Sequence, residues 1–150
     1  MNELDDIYQE IVLEHSRKPR NFRKQEEADR IQEGYNPLCG DQYTIYISID
    51  GDTISDISFQ GAGCAISKAS ASMMTEELIG KTKNQASRIF EAFRSMITKN
   101  NENITEELGD IEVLQGISQY PTRIKCATLS WHAMHAALDE QDGDISTEQV

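Results

Sequence analysis

The sequence is poor in basic residues and has no long hydrophobic run. Its 14 lysines and arginines face 26 aspartates and glutamates, which gives a formal charge of -12. Such a charge repels nucleic-acid phosphates and acidic lipid headgroups, so we expect no nucleic acid and no membrane among its partners. No apolar run approaches the roughly 20 residues of a membrane helix, and the acidic residues 1–6 lack the pattern of a secretory signal.

Cysteine is also scarce, with three residues in a chain of 150. An odd number of cysteines argues against a disulfide framework and favours a reducing compartment, so we expect a cytoplasmic protein. The length suffices for one domain that buries its core without disulfides. We predict a single domain over residues 1–140, followed by an acidic, frayed tail at 141–150.

Apolar side chains recur at helical spacing in several segments. The predicted helices span about Leu4–His15, Cys64–Gly80, Ala86–Ile97, Leu108–Leu114 and Lys125–Leu138. The second of these is rich in alanine and serine, which would allow another backbone to approach closely.

A different pattern, strict alternation, covers residues 43–49 and resumes at Ile57 and Phe59. The turn residues at 50–52 between these stretches predict a hairpin. Ile54 has the opposite phase, which a β-bulge would explain. With one short strand in the polar segment 17–40, the sequence predicts an α+β fold: a small antiparallel sheet of two to three strands with about five helices packed on it.

Each of the three cysteines falls at the predicted boundary of an element. Cys39 lies in a loop before the hairpin, Cys64 begins one helix, and Cys126 begins the last helix. The free N–H groups at a helix N-terminus favour a thiolate, which is the form that binds metal or attacks as a nucleophile.

The spacing of these cysteines leaves two interpretations open. Together with Asp41 they could supply three sulfurs and one oxygen to a zinc ion, with Arg123 and Lys125 offsetting the negative charge. Alternatively, each thiol is buried separately as a small apolar side chain. His132 and His135 could also share an ion, although a packed or solvated helix face is the more usual explanation for such a pair.

Several motifs together resemble one family. They are Asn36-Pro37-Leu38-Cys39-Gly40-Asp41, Gly61-Ala62-Gly63-Cys64-Ala65-Ile66-Ser67, Ala69-Ser70-Ala71-Ser72-Met73-Met74 and Arg123-Ile124-Lys125-Cys126-Ala127-Thr128-Leu129. The sequence resembles the SufU branch of the IscU-like iron–sulfur cluster assembly proteins, which are related to the NifU N-terminal domain. The resemblance implies an IscU-like fold with Cys39, Asp41, Cys64 and Cys126 as metal ligands.

Two features of the sequence resemble the zinc-dependent sulfurtransferase branch more than the scaffolds. IscU scaffolds carry a histidine just before the last cysteine, whereas this chain has Lys125. The stretch 108–116 resembles an insertion typical of SufU. Zinc is therefore the implied cofactor, with an iron–sulfur cluster as a transient alternative.

The resemblance implies that a SufS-type cysteine desulfurase docks and that its histidine replaces Cys39 on zinc. The freed thiolate of Cys39 would then accept the persulfide sulfur, and Arg123 or Lys125 could contact the desulfurase. The chain would thus be the second substrate and activator of that enzyme, and downstream SUF assembly proteins would be further partners. Two alternatives are a scaffold that builds a cluster on the same ligands and a purely structural zinc domain.

Overall fold

The computed structural model describes residues 8–99, 108–139 and 145–146. The predicted first helix is present from Tyr8 as a π-helical turn, Tyr8–Val12, that continues into α1, Leu13–Arg17. It ends before Pro19, as predicted, because the residue before a proline disfavours helical geometry. Leu4 and Ile7 lie outside the described residues.

Three long strands form an antiparallel sheet, as predicted. They are β1 (Arg30–Asn36), β2 (Asp41–Asp50) and β3 (Thr53–Ala62), with β2 in the centre. A two-residue strand, β4 (Ile145–Ser146), pairs in parallel with β1. The predicted frayed tail at 141–150 otherwise lies outside the described residues, and the single-domain boundary stays a prediction.

The predicted bulge in the hairpin is confirmed. Ser48 pairs with Asp56 and Ile49 with Ile54, so one residue, Ser55, is left over on β3. Because side chains alternate along a strand, this extra residue restores Ile54 to the same buried face as Ile57. The position of Ile54 out of the alternating pattern in the sequence therefore reflects the β-bulge in the sheet.

The remaining helices are α2 (Ala65–Leu78), α3 (Lys83–Lys99), a 3-10 helix (Gly109–Gln119) and α4 (Pro121–Leu138). Of these, α2 and α4 pack on the sheet, and α3 and the 3-10 helix pack against helices. The 3-10 helix is longer than the predicted helix at Leu108–Leu114. Helix α4 packs against β1, β2 and α2, and Trp131 at its middle is fully buried.

The small side chains of α2 allow the close approach that the sequence predicted. Ser70 donates a hydrogen bond of 2.6 Å to the backbone oxygen of Ala127 and accepts one of 3.1 Å from the indole N–H of Trp131. Helices α2 and α4 are thus joined by hydrogen bonds as well as by apolar contact.

One predicted boundary is wrong. Helix α4 begins at Pro121 and not near Lys125, because proline is well suited to the first helical position, where its missing N–H is not needed. Cys126 is therefore the sixth residue of the helix, about a turn and a half from its start. Among the described residues, none of the helices is long and apolar enough to cross a membrane.

Candidate metal centre

The loop between β1 and β2 presents Cys39 at the surface. Gly40 takes the left-handed conformation, with φ of 75°, and its N–H donates to the backbone oxygen of Asn36 at 2.8 Å. This turn leaves Cys39 exposed and places the next residue, Asp41, at the start of β2 with its side chain directed inward and 1% exposed.

Helix α4 brings Cys126 to the same place from the other end of the chain. The sulfur atoms of Cys39 and Cys126 are 3.3 Å apart, although the residues are 87 positions apart in sequence. One ligand atom each from Cys39, Asp41 and Cys126 lies within 4.8 Å of the others. Cys126 is fully buried, so Cys39 is the exposed member of this group of three.

Cys64 lies beside this group without belonging to it. It is the N-cap of α2, where its sulfur accepts a hydrogen bond of 3.5 Å from the N–H of Ser67. Its own N–H donates to Oδ1 of Asp41 at 2.9 Å, and its side chain is hydrogen-bonded to Cys126. Cys64 is thus connected to two members of the group and is half-buried.

The pKa values of Cys64 and Cys126 are shifted in opposite directions. The hydrogen bond from Cys126, together with those from Ser67, lowers the pKa of Cys64. The same hydrogen bond to Cys64, followed by burial and the contact with Cys39, raises the pKa of Cys126. The N–H of Ser67 at the start of α2 thus contributes to the lowered pKa of Cys64, whereas Cys126 lies deeper in α4. The raised pKa favours the protonated thiol of Cys126 in the metal-free protein.

These residues suit zinc by the chemistry of their donor atoms. Zinc binds thiolate sulfur at about 2.3 Å, which puts two sulfurs of a tetrahedral site about 3.8 Å apart. The sulfurs of Cys39 and Cys126 are 3.3 Å apart, so a small side-chain rotation would make room for the ion. Asp41 adds a hard oxygen, and Cys64 is the natural fourth donor because it already contacts Cys126.

The carboxylate of Asp41 is held by neutral donors on both oxygens. Oδ1 accepts from the N–H of Cys64 and from the hydroxyl of Ser67 at 3.2 Å, and Oδ2 accepts from the side-chain amide of Asn36 at 3.2 Å. These hydrogen bonds fix the orientation of a buried acidic group before any metal is bound.

Ser67 and Tyr43 extend this network into the core. Their hydroxyls are 2.9 Å apart, and burial raises the pKa of Tyr43. Gly63 passes so close that a Cβ would lie 2.5 Å from the hydroxyl oxygen of Ser67 and 2.6 Å from Oδ1 of Asp41. Only glycine fits there, which explains the last glycine of the Gly-Ala-Gly turn before Cys64.

Three residues of this network were not predicted as site residues from the sequence: Asn36, Ser67 and Tyr43. A signal for Asn36 was present, since an Asn-Pro pair commonly starts a turn. Ser67 stands three residues after the N-cap Cys64, a position where side chains often contact the capping residue. Tyr43 was identified only as an apolar strand residue.

The other predicted residues lie around the cluster or away from it. Arg123 is exposed and Lys125 half-buried on the first turns of α4, and their roles stay predictions. His132 packs edge-on against Phe90 with ring centres 5.1 Å apart, and His135 lies 5.3 Å from the same ring. The two histidines therefore form a packed face, which was the more usual of the two explanations.

A comparison with known protein families identifies the family of this chain. The model of the NifU-like N terminal domain matches residues 7–139. The chain belongs to this family. The match includes all four residues predicted as ligands, and the resemblance to the IscU-like proteins is confirmed.

Curated relatives of this NifU-like domain carry two kinds of name. The zinc-dependent sulfurtransferase SufU of Bacillus subtilis is 39% identical over 140 residues, which is 93% of this chain and 95% of that protein. The iron–sulfur cluster assembly scaffold protein IscU of Streptococcus pyogenes is 38% identical, over 92% of this chain and 86% of that protein. Identity alone does not separate the two.

A solved structure confirms the fold of this NifU-like domain. A candidate iron–sulfur cluster assembly scaffold protein for the SUF system, from Fervidobacterium islandicum, superposes with a TM-score of 0.81 at 38% identity. The superposition covers 89% of this chain and 97% of that chain. The predicted α+β architecture is therefore correct in type as well as in its elements.

Proposed function

We propose that the chain is a zinc-dependent sulfur carrier for iron–sulfur cluster biogenesis. It takes sulfur as a persulfide from a SufS-type cysteine desulfurase, of which it is the second substrate and activator. Downstream SUF assembly proteins then receive the sulfur. The proposal assigns Cys39 as the acceptor, and Cys39, Asp41, Cys64 and Cys126 as the zinc ligands, acting in the cytoplasm where thiols stay reduced.

The observation that carries the proposal is the difference in exposure within one cluster. Cys39 is exposed, while Cys126 and Asp41, whose ligand atoms lie within 4.8 Å of its sulfur, are buried. A persulfide on another protein can reach the sulfur of Cys39 far more easily than that of Cys126. A cluster with one reachable thiol suits the transfer of one sulfur atom.

The transfer itself is a thiol–disulfide type of exchange. The thiolate of Cys39 attacks the outer sulfur of the donor persulfide, a new S–S bond forms on Cys39, and the donor S–S bond breaks. The donor cysteine leaves as a thiolate, and the proton on the outer sulfur travels with that sulfur. No external oxidant or reductant is consumed.

The surrounding residues prepare Cys39 for this role. Bound zinc would keep the sulfur of Cys39 deprotonated at neutral pH while shielding it from other reagents. Asp41, Cys64 and Cys126 keep their positions through the hydrogen bonds described above. Arg123 and Lys125 stand at the start of α4, where positive charge would offset the excess negative charge of the ligands or contact the desulfurase.

Metal analysis and trapping of the persulfide test the proposal together. Untreated protein should be colourless with about one zinc per chain. After incubation with a SufS-type desulfurase and cysteine, mass spectrometry of blocked peptides should find one extra sulfur atom on the peptide that contains Cys39. Sulfur found on Cys64 or Cys126 instead would contradict the assignment of the acceptor.

A scaffold for cluster assembly is the second candidate, favoured by the name of the Streptococcus pyogenes relative. The same four ligands would then hold a [2Fe-2S] cluster. Protein purified without oxygen would be brown and rich in iron, with little zinc. Lys125 argues against this candidate, because the IscU scaffolds carry a histidine at this position and the SufU branch does not.

A purely structural zinc site is distinguished by Cys39→Ala, which would then unfold the chain.

A further inference from the structure

The side chain of Asn36 contacts two of the predicted ligands, Asp41 and Cys126, and the backbone of the loop that carries Cys39. Asn36 is the last residue of β1 and is completely buried. Its amide nitrogen donates to Oδ2 of Asp41 at 3.2 Å and lies 3.6 Å from the sulfur of Cys126. Its amide oxygen accepts from the N–H of Leu38 at 3.3 Å.

The partners determine which way the amide faces. An amide NH2 group has two hydrogens, and here two acceptors lie on its side, one on Asp41 and one on Cys126. The oxygen faces a donor, the N–H of Leu38. The flipped amide would set oxygen against carboxylate and NH2 against N–H, so the orientation follows from the contacts.

Asn36 also holds the loop that carries Cys39. Its side chain accepts from Leu38, the residue before Cys39, and its backbone oxygen accepts from Gly40, the residue after it. The loop is therefore tied to the end of β1 on both sides of the reactive sulfur.

We infer that Asn36 is a positioning residue that keeps Asp41 and Cys126 aligned for the metal and ties both to the Cys39 loop. If the sulfur of Cys39 left the metal to meet a persulfide donor, the donors of Asn36 would keep the two buried ligands, Asp41 and Cys126, in place. The same amide limits how far the loop can move. This inference rests on the proposed zinc site.

Two variants test separately the NH2 group of the Asn36 amide, which donates hydrogen bonds, and its oxygen, which accepts one. Asn36→Asp has almost the same shape and keeps an oxygen for the N–H of Leu38, but it sets a carboxylate against Asp41 and Cys126. Asn36→Ala removes both functions. The matched control is Gln32→Ala, which deletes another buried amide on the same strand and the same face, four residues from Asn36. The side-chain amide of Gln32 donates to the backbone oxygen of Glu33 at 3.1 Å.

Zinc affinity is the main measurement. Metal-free protein is titrated with Zn²⁺ in competition with a chromophoric chelator, and its thermal unfolding is recorded alongside. Loss of hydrogen bonds to metal ligands typically weakens binding about 10- to 100-fold, which we expect for Asn36→Asp and Asn36→Ala. Gln32→Ala should stay within about threefold of the wild type.

The alkylation rate of Cys39 by iodoacetamide in metal-free protein supplies the second measurement. Asn36→Ala should speed alkylation because the loop is released, whereas Asn36→Asp, which keeps the bond to Leu38, should not. A general loss of structure would speed alkylation in both variants and would lower the unfolding temperature of both. The pattern across the two variants therefore separates positioning from folding.

The outcomes that overturn the inference are distinct from those that overturn the function. Asn36→Ala with wild-type zinc affinity excludes the positioning role and leaves the sulfur carrier standing. Asn36 variants that no longer unfold cooperatively assign the amide to the fold and also overturn the inference. Wild-type protein that takes up no zinc overturns the proposed function itself.

Discussion

Helix α2 takes part in two buried polar networks that differ in kind. Near its start, Cys64 and Ser67 contact Asp41, and Cys64 also contacts Cys126. All of these side chains except Ser67 can become anionic. The pKa of Cys126, which is hydrogen-bonded to Cys64, is raised. Such a collection is unfavourable without a cation, because each negative charge raises the cost of the next.

The second network, further along α2, is complete within the protein. The hydroxyl of Ser72 meets Nδ1 of His15 at 2.7 Å and accepts from the backbone N–H of Arg20 at 2.8 Å. The amide of Asn21 donates to the hydroxyl of Thr75 at 2.9 Å. Burial lowers the pKa of His15, which favours the neutral ring, and Nε2 of this ring lies 3.6 Å from the carboxylate of Glu76. This network fastens the segment after α1 to α2.

The two networks on α2 therefore have different roles: the first forms the candidate metal centre, and the second stabilises the fold. Both networks bury polar side chains, but only the first gathers thiols and a carboxylate with one thiol exposed. We therefore expect changes in the first network to alter metal binding and sulfur transfer, and changes in the second to alter stability alone.

The largest effect is expected from Cys39→Ala. Because the side chain is exposed, the metal-free fold should unfold at nearly the wild-type temperature, while acceptance of sulfur from a desulfurase should fall to background. The measurement is persulfide trapping together with thermal unfolding. Stimulation of the desulfurase equal to that of the wild type would exclude Cys39 as the acceptor.

Asp41→Ala should weaken zinc binding by at least about 100-fold, since it removes a ligand and the acceptor that orients Cys64. Its enlarged site should also admit iron more readily. Zinc competition and metal analysis check both expectations. Ser72→Ala, from the second network, is the control and should bind zinc like the wild type; equal weakening in both would remove the distinction between the networks.

Ser72→Ala should instead lower the free energy of unfolding by about 1–3 kcal/mol, because it leaves the N–H of Arg20 and the ring of His15 without this partner. Denaturant unfolding of the metal-free chain measures this. The partly exposed Ser87 on α3 gives a matched control, Ser87→Ala, with an expected change within about 0.5 kcal/mol. A similar small change for Ser72 would show that the second network contributes little.

The last prediction concerns the pH dependence of stability. Burial lowers the pKa of His132 to about 4 from an ordinary value of 6.5. The unfolded chain therefore takes up this proton at a higher pH than the folded chain, so stability is lost as pH falls from about 6.5 toward 4, by at most about 1.4 kcal/mol per pH unit. Below that range both states are protonated and this contribution stops changing.

His132→Gln tests this assignment. In urea unfolding of the metal-free chain between pH 4.5 and 7.5, the variant should lose stability less steeply than the wild type below pH 6.5. Above pH 7 the difference between the two proteins should be constant, which serves as the internal control. Parallel curves over the whole range would assign the acid sensitivity to other groups.

Local patterns in the sequence were enough to predict much of the fold. Alternation and turn residues predicted the hairpin, and the misplaced phase of Ile54 predicted its bulge, because side chains of a strand alternate whatever surrounds it. Helical spacing located α3 and the middle of α4. The start of α4 was misplaced, since the first turn of a helix has few apolar residues to mark it.

The sequence by itself determined the chemical groups of the centre and the elements that hold them. These are three thiols, one carboxylate, a loop and two helices. Only the tertiary structure decided which of these groups meet. Cys39 and Cys126 are brought together by the packing of α4 across β1 and β2. The burial of Cys126 and the position of Asn36 beneath the loop depend on the same packing. Contacts between distant residues follow from how whole elements pack, which no local pattern records.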